Sequence, residues 1–338
     1  MPRTRVHLAS SVVQCLSHFN LYSNQNQLLY SIDHKVTEMN ASPSRYLLLA
    51  TLCLALSAFR AEPSKAAAAG KTKQVSPGVL QIGRIANPRI KESSGIVCSR
   101  QYPDVFWTHN DGGGFKKQVL YGITRQGKIV TEFRVVGALL HDWEDIAIDS
   151  EGHLFVGDIG NNNAVRTQLA VYQIDEPDPK SSRTSVEIKR GWQLRFPKAR
   201  FDCESLFVWE GYGYVISKVF NGQRAEIFRF PLTEQKDPFV LEFVARLKIE
   251  SPVTGADISV DGKLLGLVAK AGAFVYRIDG NVAKAAHIKP WETKFSHEHI
   301  EACCFVPDGL LATAESGEIY LFTDEPFHPA NRVEPLNR

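Results

Sequence analysis

Ionisable side chains recur at one spacing in this sequence, and their types could support proton transfer, cation binding or anion binding. Fourteen residues separate Glu144 from Asp158, Glu204 from Lys218, Ala256 from Lys270 and Glu301 from Glu315. Upstream, a longer turn puts Asn110 at the matching position relative to Ser94. Carboxylates gathered from separate segments raise one another's pKa and are stabilised by a proton, a cation or a nearby lysine. Such a group could act as a general acid and base on a glycoside, or hold a calcium ion that polarises an ester or lactone carbonyl. Asp145, Glu204 and Asp257 are the candidates for catalysis, and Glu144, Asp158 and Glu204 those for a metal ion. Lys218 and Lys270 argue the other way: two ammonium groups repel a central cation and favour a carboxylate, phosphate or sulfate on the ligand.

A repeat must position these residues. The segments Ser94–Cys98, Glu144–Ile148, Glu204–Val208, Ala256–Val260 and Glu301–Phe305 each open on a small or acidic residue and run into apolar ones. Their starts lie 50, 60, 52 and 45 residues apart. Each is followed by a turn, a second apolar stretch, and a third with an aromatic-x-apolar signature, at Tyr121–Ile123, Tyr172–Ile174, Phe228–Phe230, Tyr276–Ile278 and Tyr320–Phe322. A fourth stretch follows at 128–136, 185–196, 239–249 and 281–288, but the last repeat has none. Val79–Ile85 can supply it from the other end of the chain. The pattern predicts an all-β propeller of five four-stranded blades, closed by 79–85 beside 318–323. Six blades are the alternative, and would need a further unit within 175–200.

In a propeller the first strand of each blade lines the channel and the second returns antiparallel. The start of one and the end of the next therefore share a rim. The predicted ligand-binding set at that mouth is Asn110, Glu144, Asp158, Asn161, Glu204, Lys218, Asp257, Lys270, Glu301 and Glu315. The Gly- and Asn-rich stretches Trp107–Gly114 and Gly157–Asn163 lead to the same rim, as do His141–Trp143, Arg200, Asp202 and His297–His299. No helix follows the glycines, so neither a dinucleotide nor a phosphate loop is present, and there is no Gly-x-Ser-x-Gly elbow. His297 and His299 supply two nitrogens, short of a zinc set.

The segments WEDIAID, GDIGNNN, DCESL, TGADIS and IEACCF resemble, in order, a family of uncharacterised exported bacterial β-propellers, distantly similar to the NHL, gluconolactonase and TolB-like propellers. The resemblance spans 79–325. Among the distant relatives, calcium lactonases hold a central ion with Glu, Asn and Asp from different blades; Glu144, Glu204, Asp158 and Asn110 are the matching residue types here. Five-bladed glycosidases similar to arabinanases use three acids, a pattern that Asp145, Glu204 and Asp257 imitate. The lactonases have six blades and no counterpart of Lys218 and Lys270, so their residues do not transfer position by position.

The remaining features concern compartment and partners. Lys and Arg number 39 against 37 Asp and Glu, which leaves no broad cationic field for nucleic acid. The apolar run Tyr46–Phe59, between Arg45 and Arg60, has the size of a signal-peptide core and is short for a membrane span. Residues 1–57 are expected to be an extension plus signal peptide, with Met39 as the true start, and 58–78 a tether. Residues 79–325 form the propeller and 326–338 a tail. Cys98, Cys203, Cys303 and Cys304 do not make a disulfide scaffold, and their pairing is left open. The expectation is a secreted or periplasmic monomer that binds a small polar or anionic ligand, a glycan or an envelope protein. A hydrolase using the same carboxylates, with calcium as its cofactor, is the alternative.

Overall fold

The innermost strand of each repeat is buried on both faces, and the outermost alternates. That difference places the repeats around a common centre. Trp143–Ile148 and Val253–Ile258 are buried at every position, whereas Ile129–Val136 alternates buried and exposed residues toward its end. A strand covered on both sides reads as a continuous apolar run; one with a solvent face shows a period of two.

The computed structural model describes residues 72–112, 118–220, 222–325 and 327. The expected leader (1–57), most of the tether, Gly113, Gly114 and nearly all of the tail lie outside them. Unit one comprises Ser93–Cys98, Phe106–Asn110, Val119–Ile123 and Ile129–Val136; unit two comprises Trp143–Ile148, His153–Asp158, Gln168–Asp175 and Ser185–Arg195. Unit three is Asp202–Trp209, Tyr212–Lys218, Glu226–Pro231 and Glu242–Arg246, and unit four Val253–Ile258, Leu264–Ala269, Gly272–Arg277 and Trp291–Lys294. Unit five pairs Ile300–Val306, Gly309–Ala314 and Glu318–Thr323 with Val79–Arg84. Within each unit the strands are antiparallel neighbours. Units one and two also join at their outer strands, where Arg134–Val136 runs parallel to Ser185–Glu187.

The five inner strands neighbour one another in a closed cycle, unit one against two, two against three, and so on until five meets one. The apolar core follows the same cycle, with one cluster between each adjacent pair of units. This is an all-β, propeller-type fold. Its closure is made by the N-terminal strand as expected, with Val79 opposite Phe322 and Leu80 opposite Leu321. Cys303 and Cys304 point into different clusters, and all four described cysteines are unbridged. Among the described residues no helix is long and apolar enough to cross a membrane.

Three local expectations are corrected. Residues 281–288 are not an outer strand: Val282–Ala286 forms a 3-10 turn, capped by the Asn281 side chain accepting from the Ala283 N–H, and the strand comes later, at Trp291–Lys294. An alanine-rich stretch has little β propensity, whereas Trp and Thr favour it. Lys73–Ser76 lies inside the stretch read as a tether, yet it pairs with the closing strand across a Pro77-Gly78 turn. The Gly78 φ of 70° is the left-handed conformation that such a turn needs at its second central position. Finally, unit four is shifted by two residues relative to the sequence alignment, as its bulge shows.

Every inner strand carries a bulge at its start. The unpaired residue is Ser94, Glu144, Glu204, Thr254 and Glu301 in turn. In unit four the equivalent of Glu144 is therefore Thr254, not Ala256. In unit four the residue after the bulge is Gly255, where the neighbouring inner strand comes close. A Cβ on Gly255 would lie 2.8 Å from Ala302 Cα and 2.9 Å from the Glu301 carbonyl oxygen. Because these are backbone atoms, Gly255→Ala should destabilise by about 1–3 kcal/mol, the range for overpacking, and by more if the ring cannot widen. A urea titration of the variant checks this; an unchanged midpoint would show that the units slide freely.

Candidate functional site: an acidic channel mouth

The bulges set the geometry of the mouth, because an extra residue turns its side chain away from the paired ladder. Glu144, Glu204 and Glu301 each occupy such a position and are buried. Around them stand Asp111, just past the second strand of unit one, Asp142, just before the first strand of unit two, and Asp202, at the start of unit three. Glu315 and Lys270 follow the second strands of units five and four, and Lys218 ends that of unit three. Carboxyl groups from four units thus share one region with two ammonium groups.

Their mutual fields are strong. Burial raises Glu144 well above the ordinary carboxylate range, and Glu204, Asp111, Asp142 and Asp202 push in the same direction. Burial, then Asp142, Glu204 and Glu315, carry Asp111 up to about 7. Glu301 rises to about 8 through burial and Glu204. Burial also takes Glu204 up to about 7, although Lys218 pulls it down through a direct contact and Lys270 through its charge. Burial opposes the charge on Lys218, but Glu204 and Glu301 more than offset it and its pKa is raised. Lys218 and Glu204 are both almost wholly enclosed, so the pair is screened little by solvent.

Asp111, Asp142 and Glu144 each offer an oxygen within 4.8 Å of the other two, an arrangement that can hold a cation. The donor set is all oxygen, which suits calcium, magnesium or manganese better than zinc or copper. Two loops hold it. The Asp142 N–H donates to Asp158 Oδ1 at 2.9 Å, the Asp142 carbonyl accepts from the Gly160 N–H at 3.2 Å, and the Gly112 N–H donates to the Trp143 carbonyl at 2.9 Å. Gly160 is required here: a Cβ would sit 2.3 Å from Glu144 Oε1 and 2.4 Å from Asp142 Oδ2.

Several residues expected at the mouth stand elsewhere or are engaged otherwise. Asp158 faces the rim loop, where Arg166 at 3.1 Å and His141 at 3.2 Å join the Asp142 N–H on its carboxylate. Asn110 accepts from the Lys91 and Glu92 N–H groups and donates to the Arg89 carbonyl. Asn161 is tied to the Arg166 and Phe201 backbone, and its own N–H donates to Asp202 at 2.7 Å. Asp145 accepts from the Ile146 and Leu206 N–H groups, both at 2.8 Å, stitching unit two to unit three. Asp257 does the same between units four and five, accepting from Ile258 at 2.9 Å and Phe305 at 2.8 Å.

Because of the two-residue shift, Asp257 sits deeper than Asp145, and the cation that most lowers its pKa is Arg100, at the far end of the unit-one inner strand. Both aspartates thus have each carboxylate oxygen on a backbone N–H. His297 is likewise engaged, its Nδ1 by the His299 N–H at 3.2 Å and its Nε2 by the Tyr320 hydroxyl at 3.2 Å. Sequence reasoning left Asp111, Asp142 and Asp202 out of the binding set. The signal for all three is adjacency: each stands within a residue or two of a rim end of an inner or second strand.

No known family profile matches the chain, and no curated protein does. One chain of the crystal structure of a nidogen/laminin complex aligns over 67% of this chain and 73% of its own, with 14% identity and a TM-score of 0.41. The hydrazine synthase of Kuenenia stuttgartiensis aligns over 68% and 71%, with 12% identity and a TM-score of 0.40.

Proposed function

We propose that the chain is an exported binding module of propeller type whose channel mouth takes a hard divalent cation, calcium in the first instance, and through it a polar ligand. The observation that carries this reading is the Asp111, Asp142 and Glu144 triad within a larger carboxylate group. Crowded buried carboxylates require protons or a cation, and a divalent ion neutralises several at once. Of the lysines that would favour an anion, Lys218 is already in contact with Glu204, while its charge also reaches Asp111. The export step rests on the signal-like run Tyr46–Phe59. Hydrolysis draws less support, because Asp145 and Asp257 are held by backbone N–H groups.

Calorimetric titration of calcium into chelator-treated protein at pH 7.5 should give saturable binding. Glu144→Gln should weaken it by about tenfold or more, and Gly160→Ala similarly, by displacing two of the three oxygens. Glu144→Gln should not lower the melting temperature in chelator by much, since burial and the surrounding carboxylates already favour the neutral form of Glu144. Failure of calcium, magnesium and manganese alike to produce heat or a thermal shift would overturn the reading.

A further inference from the structure

The end of the ring opposite the acidic mouth carries a cavity of about 810 Å³, formed where the turns between first and second strands of units two, three and four come together. Arg100 reaches into it from unit one, and Arg190 from the outer strand of unit two. The carboxylates on its wall are mostly matched by neighbours. Asp149 accepts from His153 Nδ1 at 2.9 Å, with Glu151 at 3.7 Å from the same ring, and Asp175 pairs with Lys189 at 2.8 Å. Arg100, Arg190 and Glu210 form no ion pair among the described residues.

Arg100 is the unusual member. It is half-buried, and its Nε is enclosed with no hydrogen-bond acceptor. Asp257 lies behind it, beyond ion-pair distance, with both oxygens on the Ile258 and Phe305 N–H groups. A guanidinium remains charged at any physiological pH. The enclosed Nε is out of reach of the cavity, but the two terminal nitrogens are not enclosed, and an oxyanion is the group that they can bind through two parallel hydrogen bonds. Beside it, Trp209 is half-buried with its indole N–H on the Gly280 carbonyl, and Val260 is exposed at the lip. They supply an apolar wall for the body of a small molecule.

We infer that this cavity is a second binding site, separate from the acidic mouth, for a small molecule bearing a carboxylate or phosphate, with Arg100 as its anchor and Arg190 at its entrance. Among the described residues, Arg100 and Arg190 are the cations without an ion pair on a wall that also carries Asp149, Glu151, Asp175 and Glu210.

The test uses the full chain, with citrate and inorganic phosphate as probes at constant ionic strength and chloride as the control. Tryptophan fluorescence and melting temperature report binding, since Trp209 lines the wall. One or both probes should give a saturable response absent with chloride; which of them does so separates a carboxylate from a phosphate site. Arg100→Gln should weaken it about tenfold or more, and Arg100→Lys less. Should Arg100→Gln fail to fold, Arg190→Gln provides the second reading, with a smaller loss expected. A response to both probes no greater than to chloride, or one unaffected by either arginine change, would overturn the assignment.

Discussion

Removing residues 72–85 should leave the protein unable to fold as a monomer. This closing strand buries Val79, Ile82 and Ile85 against unit five and unit one. Each such side chain contributes about 1.5–3 kcal/mol, so the loss is comparable to the roughly 5–15 kcal/mol that holds a typical domain together. The deletion also uncovers Glu318–Thr323, whose Tyr320 and Phe322 are otherwise covered, and an unpaired apolar strand invites pairing with another chain. Size-exclusion chromatography should show aggregates, and circular dichroism a lost or broadened melt. A truncated chain that elutes as a monomer with its melting temperature intact would mean that the ring is held elsewhere, for example by the parallel pairing of units one and two.

The second large effect is on pH dependence without metal. Glu301 is raised to about 8, and Glu204 and Asp111 to about 7, in each case first by burial. A carboxyl whose folded pKa lies above its unfolded value binds its proton more tightly in the native state. Its stabilising contribution is therefore complete below the unfolded pKa, near 4, and is lost as pH rises through the folded value. Chelator-treated protein should be most stable near pH 5 and weaken up to pH 8, opposite in sign to the usual acid denaturation. Each tenfold change in proton affinity is about 1.4 kcal/mol, and a domain of this size loses roughly 2–4 °C per kcal/mol, so a proton held about a hundredfold tighter on one carboxyl alone gives a fall of about 5–10 °C, and the three together give more. Calcium added at pH 8 should restore much of it, because a bound cation replaces the protons. Glu301→Gln should flatten the profile. A melting temperature that rises from pH 5 to 8 without metal would show that these carboxyls are solvated.

How much of this was legible in the sequence varies by level. Inner strands buried on both faces are mostly apolar, outer strands alternate, and the aromatic-x-apolar signature recurs because each unit packs its third strand in the same way. These constraints are local, so the repeat, the all-β class and the missing strand of unit five could be read directly. The grouping of Glu144, Glu204 and Glu301 was legible for the same reason, since equivalent units in a ring bring equivalent positions to one rim. Register was not. Thr254 and Ala256 both precede an apolar run, and only the pairing with Leu264–Ala269 shows that the bulge falls on Thr254, which sends Asp257 deeper, toward Arg100.

Nor does composition reveal whether a carboxylate is engaged by backbone or open to a ligand. Asp145 and Glu144 are neighbours in sequence, yet one stitches two units together through N–H groups and the other enters a crowded mouth, because Glu144 is the extra residue of the bulge and Asp145 rejoins the paired ladder. Asp111 and Asp142 meet Glu144 only because two loops, thirty residues apart in the chain, are pinned at the same rim by Gly112 and Gly160. The residue types and their repeat were set by the sequence, through burial patterns that each strand carries alone. Which carboxylates face one another, and which arginine is left without a partner at the other end, was decided by the closure of the ring, because those neighbours exist only once distant units are brought into contact.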